Sequence, residues 1–261
     1  MPSLTDTHCH LNLNWFASDL SEVLLRAAAA GIERILIPGI DLPNSYQAVK
    51  MAEQHPAIYA AVGIHPNDAN TWDSNTLPAL EELAQHPKVV AIGEIGLDYY
   101  RQHSTPERQK NILEQQIILS LRVQKPIILH SRSALPETLT ILQQWLPGIA
   151  LTGVFHSYEG SLETAQSILN AGFYLGVSGP ITFQNARERQ KTFQQIPLKH
   201  LLLETDAPYL TPHPWRGQRN EPAHIPAIAQ KLADLHQTSL EQVAIITSHN
   251  AHQLFQWGVS S

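Results

Sequence analysis

The chain has 261 residues, of which 43% are hydrophobic and 15% are charged, with 17 basic and 23 acidic side chains. This apolar fraction is sufficient for a large core, which excludes intrinsic disorder. The net charge of −6 excludes a protein that coats nucleic acid through bulk positive charge, because neutralising phosphates requires clustered Lys and Arg. The single cysteine, Cys9, excludes an intrachain disulfide framework and a multi-cysteine zinc site.

The amino-terminal residues MPSLTDTHCHLNL lack the basic and apolar regions of a signal peptide. No apolar run approaches the ~20 residues that span a bilayer. We therefore expect a cytoplasmic protein that does not enter a membrane. Because no long exposed apolar stripe indicates an obligate interface, we also expect a monomer without an obligate protein partner.

Short β-rich apolar runs alternate with amphipathic stretches along the chain. Runs such as PIILHS and HLLLETD are almost continuously apolar, which is typical of parallel strands buried on both faces. Strands are predicted at Leu4–His10, Ile32–Ile37, Ile58–Ile64, Val89–Ile95, Pro126–Ser131, Ile149–His156, Phe173–Val177 and Leu201–Asp206. Helices are predicted at Asp19–Ala30, Pro43–Gln54, Leu77–Gln85, Pro106–Val123, Pro136–Leu146, Ser161–Asn170 and Ala186–Gln194, with another beginning near Thr238.

This alternation predicts an α/β protein in which residues 1–261 form a single (β/α)₈ TIM barrel. No linker rich in Gly, Ser or Pro interrupts the series of strand–helix units. A doubly wound open sheet is the alternative. It is disfavoured because the glycine-rich phosphate loop expected after its first strand is missing.

Chemistry in such a barrel lies at the carboxyl ends of the strands, where six of the eight predicted strands present His or a carboxylate. His8 and His10 are two residues apart, so both imidazoles leave the same face of a strand and can bind one ion. Cys9 has the opposite parity and is interpreted as a small buried thiol. The full set of predicted metal ligands is His8, His10, Glu94, His130, His156 and Asp206.

Four imidazoles and two carboxylates suit borderline divalent ions, Zn²⁺ first, with Mn²⁺, Ni²⁺ or Fe²⁺ as alternatives; Mg²⁺ normally takes more oxygen ligands. Six ligands exceed the three that one catalytic zinc uses. They suit two divalent ions about 3.5–4 Å apart, which activate water and polarise a phosphoryl or carbonyl oxygen. The predicted reaction is hydrolysis.

Three further residues are candidates for substrate binding. His65 follows the third strand and can bind a substrate phosphate, or it packs its loop. Arg132, two residues after His130, can hold substrate oxygens, although a solvated position is an equal alternative. Arg219 lies with Trp215 in the loop after the last strand, where they could hold phosphate and stack a base, or form a solvated loop.

Segments across nearly the whole chain resemble the TatD family of metal-dependent deoxyribonucleases. The matching segments are Thr5-Asp6-Thr7-His8-Cys9-His10, Gly63-Ile64-His65-Pro66, Gly93-Glu94-Ile95-Gly96-Leu97-Asp98-Tyr99-Tyr100, His130-Ser131-Arg132, Leu203-Glu204-Thr205-Asp206-Ala207-Pro208-Tyr209-Leu210 and Arg219-Asn220-Glu221-Pro222. The resemblance implies hydrolysis of DNA, often from the 3′ end, supported by magnesium or manganese, with zinc as another occupant.

The resemblance also implies a role for each ligand. His8, His10 and Asp206 would hold one ion, His130 and His156 would hold the other, and Glu94 would bridge them. Asp206 would in addition position or deprotonate the attacking water.

The segment after His156 departs from the family pattern, because Ser-Tyr-Glu-Gly stands where the family often has Cys-Phe-Ser-Gly. Glu159 thereby adds negative charge near a pocket expected to admit phosphates. The leading hypothesis is a two-metal phosphodiesterase, a 3′–5′ exonuclease acting on single-stranded DNA or short oligonucleotides.

Two alternatives remain. One is an amidohydrolase cleaving an amide, ester or lactone in a small molecule. Enzymes of that kind commonly bridge their two metal ions with a carboxylated lysine from strand 4. This alternative is less favoured because strand 4 here ends in Glu94, and its only nearby lysine, Lys88, lies at its start. The other is a non-catalytic metal or nucleotide binder.

Overall fold

The structure is a computed structural model that describes residues 3–101, 103–145 and 151–258. Its strands form one parallel eight-stranded sheet in which each strand is hydrogen-bonded to its neighbours in chain order. The strands are β1 Leu4–Asp6, β2 Ile32–Pro38, β3 Ile58–Val62, β4 Val89–Asp98, β5 Ile127–Arg132, β6 Gly153–Phe155, β7 Tyr174–Val177 and β8 Leu201–Leu203. This order confirms the predicted (β/α)₈ class.

An α-helix follows each strand. The helices in the described residues are α1 Leu20–Ala29, α2 Leu42–Gln54, α3 Thr76–Leu83, α4 Pro106–Val123, α5 Leu135–Trp145, α6 Leu162–Asn170, α7 Arg187–Gln195, α8 Ile225–His236 and α9 Leu240–Phe255. Helix α4 begins where Thr105 accepts a hydrogen bond from the Arg108 N–H, with Pro106 in the first turn. Proline suits that position because its missing N–H has no partner within the helix.

The chain divides into two compact units. The first unit comprises Met1–Ile37, Ser157–Asn170 and Tyr174–Gln253. Within it β1 pairs with β2 and β7 pairs with β8, both in parallel. All residues of β1 and β8 are buried, so the strand ends deliver polar side chains directly from an apolar core.

The second unit comprises Pro38–His156, Ala171–Phe173 and Leu254–Ser261, and it contains the pairing of β3 to β6. All ten residues of β4 are buried. Gly96 of β4 lies opposite His130 of β5, with a φ of +145°. A Cβ atom there would lie 1.9 Å from the His130 carbonyl oxygen, so only glycine permits this register.

The main differences from the predicted elements lie at strand ends. The predicted first strand reached His10, but β1 ends at Asp6, whose carboxylate accepts the His8 N–H at 3.3 Å. A side-chain bond of this kind replaces the regular strand ladder. Conversely, β4 runs on to Asp98, three residues beyond the predicted end. Helix α8 was not predicted.

Parts of two predicted elements, Leu146 in a helix and residues 149–150 in a strand, lie outside the described residues. Among the residues described, no helix combines the length and apolarity needed to cross a bilayer. The organisation of residues 1–261 as a single domain stays a prediction.

Candidate metal centre

The first unit contains a group that we call the His8 cluster: His8, His10 and Asp206. The two Nε2 atoms of the histidines lie 3.2 Å apart. Oδ1 of Asp206 is 3.4 Å from Nε2 of His10 and 3.8 Å from Nε2 of His8. Both imidazoles are buried, with His8 0% and His10 5% exposed. Three atoms able to bind an ion therefore face one another in a nearly closed space.

Backbone hydrogen bonds fix the segments that carry this cluster. The Asp206 N–H donates to the His8 carbonyl at 2.8 Å, and the His10 N–H donates to the Ala207 carbonyl at 2.8 Å. Asp206 has a φ of +57°, which turns the chain just after β8. These bonds set the separation of the two ligand-bearing segments independently of the side chains.

The carboxylate of Asp6 also joins the two segments that carry His8 and Asp206. It accepts the Thr205 N–H at 2.9 Å and the Thr205 hydroxyl at 2.6 Å, in addition to the His8 N–H. Burial raises the pKa of Asp6 to about 7, and the bonds from Thr205 oppose that rise. These bonds engage both carboxylate oxygens of Asp6 in joining the two segments that carry the His8 cluster.

The second unit contains a group that we call the Glu94 cluster: Glu94, His130, His65 and His156. Nδ1 of His130 lies 2.8 Å from Oε1 of Glu94, and Nε2 of His65 lies 3.8 Å from the same oxygen. The rings of His65 and His130 meet edge to face with centroids 4.4 Å apart, and His156 stacks on His130 at 6.5 Å. The side chain of Glu94 is 4% exposed.

His65 has its other ring nitrogen engaged. Its Nδ1 accepts the Asn67 N–H at 3.1 Å at the start of a 3₁₀ helix. A neutral His65 ring therefore carries its proton on Nε2, which makes it a hydrogen-bond donor rather than a metal ligand. That character is compatible with the predicted contact to a substrate phosphate, which stays a prediction.

Asp98 is a polar residue of this region that the sequence reasoning did not assign. Oδ2 of Asp98 lies 3.2 Å from Nε2 of His130. Burial alone would raise the pKa of Asp98, but hydrogen bonds from His130 and the Arg101 N–H outweigh it and hold the pKa well below its usual range. Asp98 lies four residues after Glu94 in β4 and so on the same face, a relation that depends on the strand continuing past its predicted end at Ile95.

The spacing of the donor atoms in the His8 cluster fits a divalent ion. Ligand atoms bound at about 2.0–2.1 Å to one tetrahedral zinc lie roughly 3.3 Å from one another. The separations of 3.2, 3.4 and 3.8 Å in the His8 cluster are close to that value. Imidazole and carboxylate donors are also the types that zinc and manganese accept.

The candidate substrate residues lie in different surroundings. The guanidinium of Arg132 lies 4.0 Å above the exposed ring of Tyr100. Arg219 donates to both carboxylate oxygens of Asp19 at 2.8 and 2.6 Å, and to the Trp15 carbonyl at 2.6 Å. The structure thus ties Arg219 to the segment that precedes α1, and its predicted role in substrate binding stays untested.

Several other predicted features can also be located. Trp215 stacks on His224 with ring centroids 4.4 Å apart. The negative charge of Glu159 is paired with Arg189 at 3.2 Å. Cys9 is fully buried, and burial raises the pKa of its thiol well above the usual value, as an inert thiol requires.

A family model described as TatD related DNase matches residues 5–256. The chain belongs to the TatD family. It is 43% identical over 253 residues to an uncharacterized metal-dependent hydrolase of Bacillus subtilis, YabD, covering 97% of this chain and 99% of that protein. It is 37% identical over 259 residues to the 3′-5′ ssDNA/RNA exonuclease TatD of Escherichia coli (strain K12), covering 96% and 98%.

The structural comparison agrees. A crystal structure of YJJV, a TatD homolog from Escherichia coli K12, has a TM-score of 0.91 and 32% identity, covering 97% of this chain and 98% of that one. The predicted family, the (β/α)₈ barrel fold and the hydrolase class are confirmed. The chain is a metal-dependent hydrolase of the TatD type.

Proposed function

We propose that this TatD-family hydrolase is a two-metal phosphodiesterase that removes nucleotides from the 3′ end of single-stranded DNA or short oligonucleotides. The observation that carries the proposal is the His8 cluster, where two imidazole nitrogens and a carboxylate oxygen lie 3.2–3.8 Å apart. Such spacing of two imidazole nitrogens and a carboxylate oxygen matches that of atoms bound to one shared cation. The exonuclease name of the Escherichia coli relative supports the same substrate.

In this proposal His8, His10 and Asp206 hold one ion, His130 and His156 hold a second, and Glu94 belongs to both sites. Divalent ions there would lower the pKa of water and neutralise charge on a phosphoryl group. Zinc, magnesium and manganese are the candidates, with nickel and iron as further possibilities.

The chain's own residues would handle protons and orientation. Asp206 orients the attacking water and accepts its proton, since its carboxylate is the most exposed member of the cluster, with 14% of its side chain exposed. His65 donates a hydrogen bond from its Nε2–H to a phosphate oxygen, because its Nδ1 already accepts the Asn67 N–H. Arg132, stacked on Tyr100, offers a fork of donors for a second phosphate oxygen.

The acidic composition supports the choice of a short substrate. With a net charge of −6, the surface does not attract long duplex DNA in general. Recognition therefore depends on local contacts at a strand end. A cytoplasmic location and a monomeric state, both expected from the sequence, belong to the same proposal.

The experiment uses 5′-labelled single-stranded DNA and metal-stripped protein that is reloaded with Mg²⁺, Mn²⁺ or Zn²⁺. We expect a ladder that shortens from the 3′ end, and none with an Asp206→Ala variant, which excludes contaminating nuclease. If a protein that binds two ions cleaves no nucleic acid but hydrolyses an amide, ester or lactone from a substrate panel, the phosphodiesterase proposal is wrong. Inertness toward every substrate would instead indicate a metal binder without catalysis.

A further inference from the structure

The imidazole of His130 lies between two carboxylates, and each ring nitrogen faces a different one. Nδ1 is 2.8 Å from Oε1 of Glu94, and Nε2 is 3.2 Å from Oδ2 of Asp98. A neutral imidazole carries one proton, so only one of its nitrogens offers a lone pair to an ion. The position of that proton decides whether His130 can bind an ion beside Glu94.

Asp98 is held so firmly that it acts as a fixed acceptor. Its Oδ1 accepts the N–H groups of Tyr100 and Arg101, both at 2.9 Å. Its Oδ2 accepts a hydrogen bond from the side-chain amide of Asn67 at 3.1 Å, and a second lone pair of this oxygen can accept from Nε2 of His130. The residue is 1% exposed, so water does not compete for these oxygens.

We propose that Asp98 is a positioning residue that accepts the Nε2 proton of His130 and so keeps the Nδ1 lone pair directed toward the ion beside Glu94. The inference rests on the proposed metal-dependent function. Carboxylates that hold a ligand histidine in this way fix its tautomer and ring orientation, and removing one typically weakens metal affinity about 10–100-fold.

The isosteric variant Asp98→Asn tests this proposal. If Oδ1 of the new amide keeps the two turn N–H groups, its NH₂ group replaces Oδ2 and points at Nε2 of His130. An amide NH₂ donates, so it would drive the ring proton to Nδ1 and block the metal-facing lone pair. The change alters hydrogen-bond polarity while conserving volume, which preserves the packing around β4.

The matched control is Asp68→Asn. Asp68 is half-buried in the same unit, and its charge interacts with that of Glu94, whereas no hydrogen bond between Asp68 and His130 is recorded among the described residues. This variant therefore removes one negative charge near the cluster without changing the polarity of a bond to His130. A purely electrostatic loss of affinity would appear in both variants.

Two readouts are needed, neither of which is turnover. The first is Zn²⁺ affinity from competition with a chromogenic chelator, where we expect Asp98→Asn to bind 10–100-fold more weakly than the wild type and Asp68→Asn to stay close to it. The second is the ¹⁵N NMR tautomer of His130 in metal-free protein at alkaline pH, assigned from the signal lost in His130→Asn. We expect the Nε2–H form in the wild type and the Nδ1–H form in Asp98→Asn.

The outcomes separate this inference from the proposed function. A wild-type protein that binds no divalent ion defeats the proposed function. A wild type that binds ions but shows an Nδ1–H tautomer overturns the role of Asp98, whatever the variants do. An unchanged tautomer in Asp98→Asn, or equal losses of affinity in both variants, overturns it as well.

Discussion

The His8 cluster and the Glu94 cluster offer similar donor atoms but are organised by different means. In the His8 cluster two imidazoles face each other and lie close to the Asp206 carboxylate, and the backbone of two chain segments sets their spacing. In the Glu94 cluster the imidazole of His130 contacts the Glu94 carboxylate through Nδ1 and the Asp98 carboxylate through Nε2. In the first cluster main-chain bonds and the Asp6 carboxylate position the segments that carry the imidazoles, whereas in the second two carboxylates contact an imidazole directly.

This difference has a consequence for the ligand-free protein. The Nε2 atoms of His8 and His10 face each other at 3.2 Å, whereas each ring nitrogen of His130 faces a carboxylate. Side-chain order in the His8 cluster should therefore depend more on the ion. The predictions below test whether the two clusters behave as separate sites.

The largest effect is expected from Asp206→Asn. The change keeps the shape of the side chain but removes the anionic oxygen that faces His10 and the proton acceptor of the proposed reaction. We expect hydrolysis of labelled oligonucleotide to fall by about 10²–10⁴-fold, the usual contribution of general acid–base catalysis. Near-normal turnover by a variant that retains both ions would show that Asp206 does not have this role.

The next largest effect concerns stoichiometry. His10→Ala should remove the ion of the His8 cluster, and His130→Ala should remove that of the Glu94 cluster, because each variant deletes a ligand from one group only. Metal content measured by mass spectrometry after dialysis should fall from about two ions per chain to about one in each variant, on the two-ion proposal. If either variant alone loses both ions, the clusters are not independent and the comparison fails.

A smaller effect is expected on stability, through the side chains that buttress each cluster. Gln109 is buried, accepts the Asp98 N–H and donates to the Asp98 and Ser104 carbonyls. The variant Gln109→Leu therefore removes the hydrogen-bond partner of three backbone groups. Thr205→Val removes a hydrogen bond from an oxygen of Asp6 and from the N–H of Ala207. Each buried group that loses its hydrogen-bond partner lowers the free energy of unfolding by about 1–3 kcal/mol.

The midpoint of urea unfolding, measured on metal-free protein, compares the two variants. We expect both midpoints to fall, and Gln109→Leu to fall further because it leaves more groups without a hydrogen-bond partner. If the midpoint of Thr205→Val falls further than that of Gln109→Leu, the hydrogen bonds between Thr205 and Asp6 stabilise the His8 cluster more than the number of bonds indicates.

The positions of the candidate ligands were predictable because they lie within or shortly after apolar strands, and the carboxyl ends of parallel strands meet at one rim. The role of Asp98 was not, because the predicted strand stopped at Ile95 and the continuation of β4 depends on pairing with β5, including Asp98 opposite Arg132. Pairing between distant segments leaves no local trace in a sequence. The partner of Arg219 escaped prediction for the same reason, since Asp19 lies 200 residues away in the chain.

The smallest effect is expected from Arg219→Ala, which asks whether that arginine serves the structure or the substrate. Hydrogen bonds from Arg219 hold the pKa of the partly exposed Asp19 below its usual range. A carboxyl with a depressed folded-state pKa adds stability above its unfolded pKa of about 3.9 and loses it as the pH falls through the folded value. The melting temperature of Arg219→Ala should therefore lie slightly below that of the wild type at pH 7.

The two melting curves should converge as the pH falls below about 4, and high salt should narrow the gap at pH 7 because exposed charges are screened. Oligonucleotide KM supplies the second half of the test. Because both guanidinium arms already engage Asp19, we expect KM to stay near the wild-type value. A large rise in KM with an unchanged melting temperature would instead restore Arg219 as a substrate-binding residue, and would mean that its bond to Asp19 yields when a phosphate arrives.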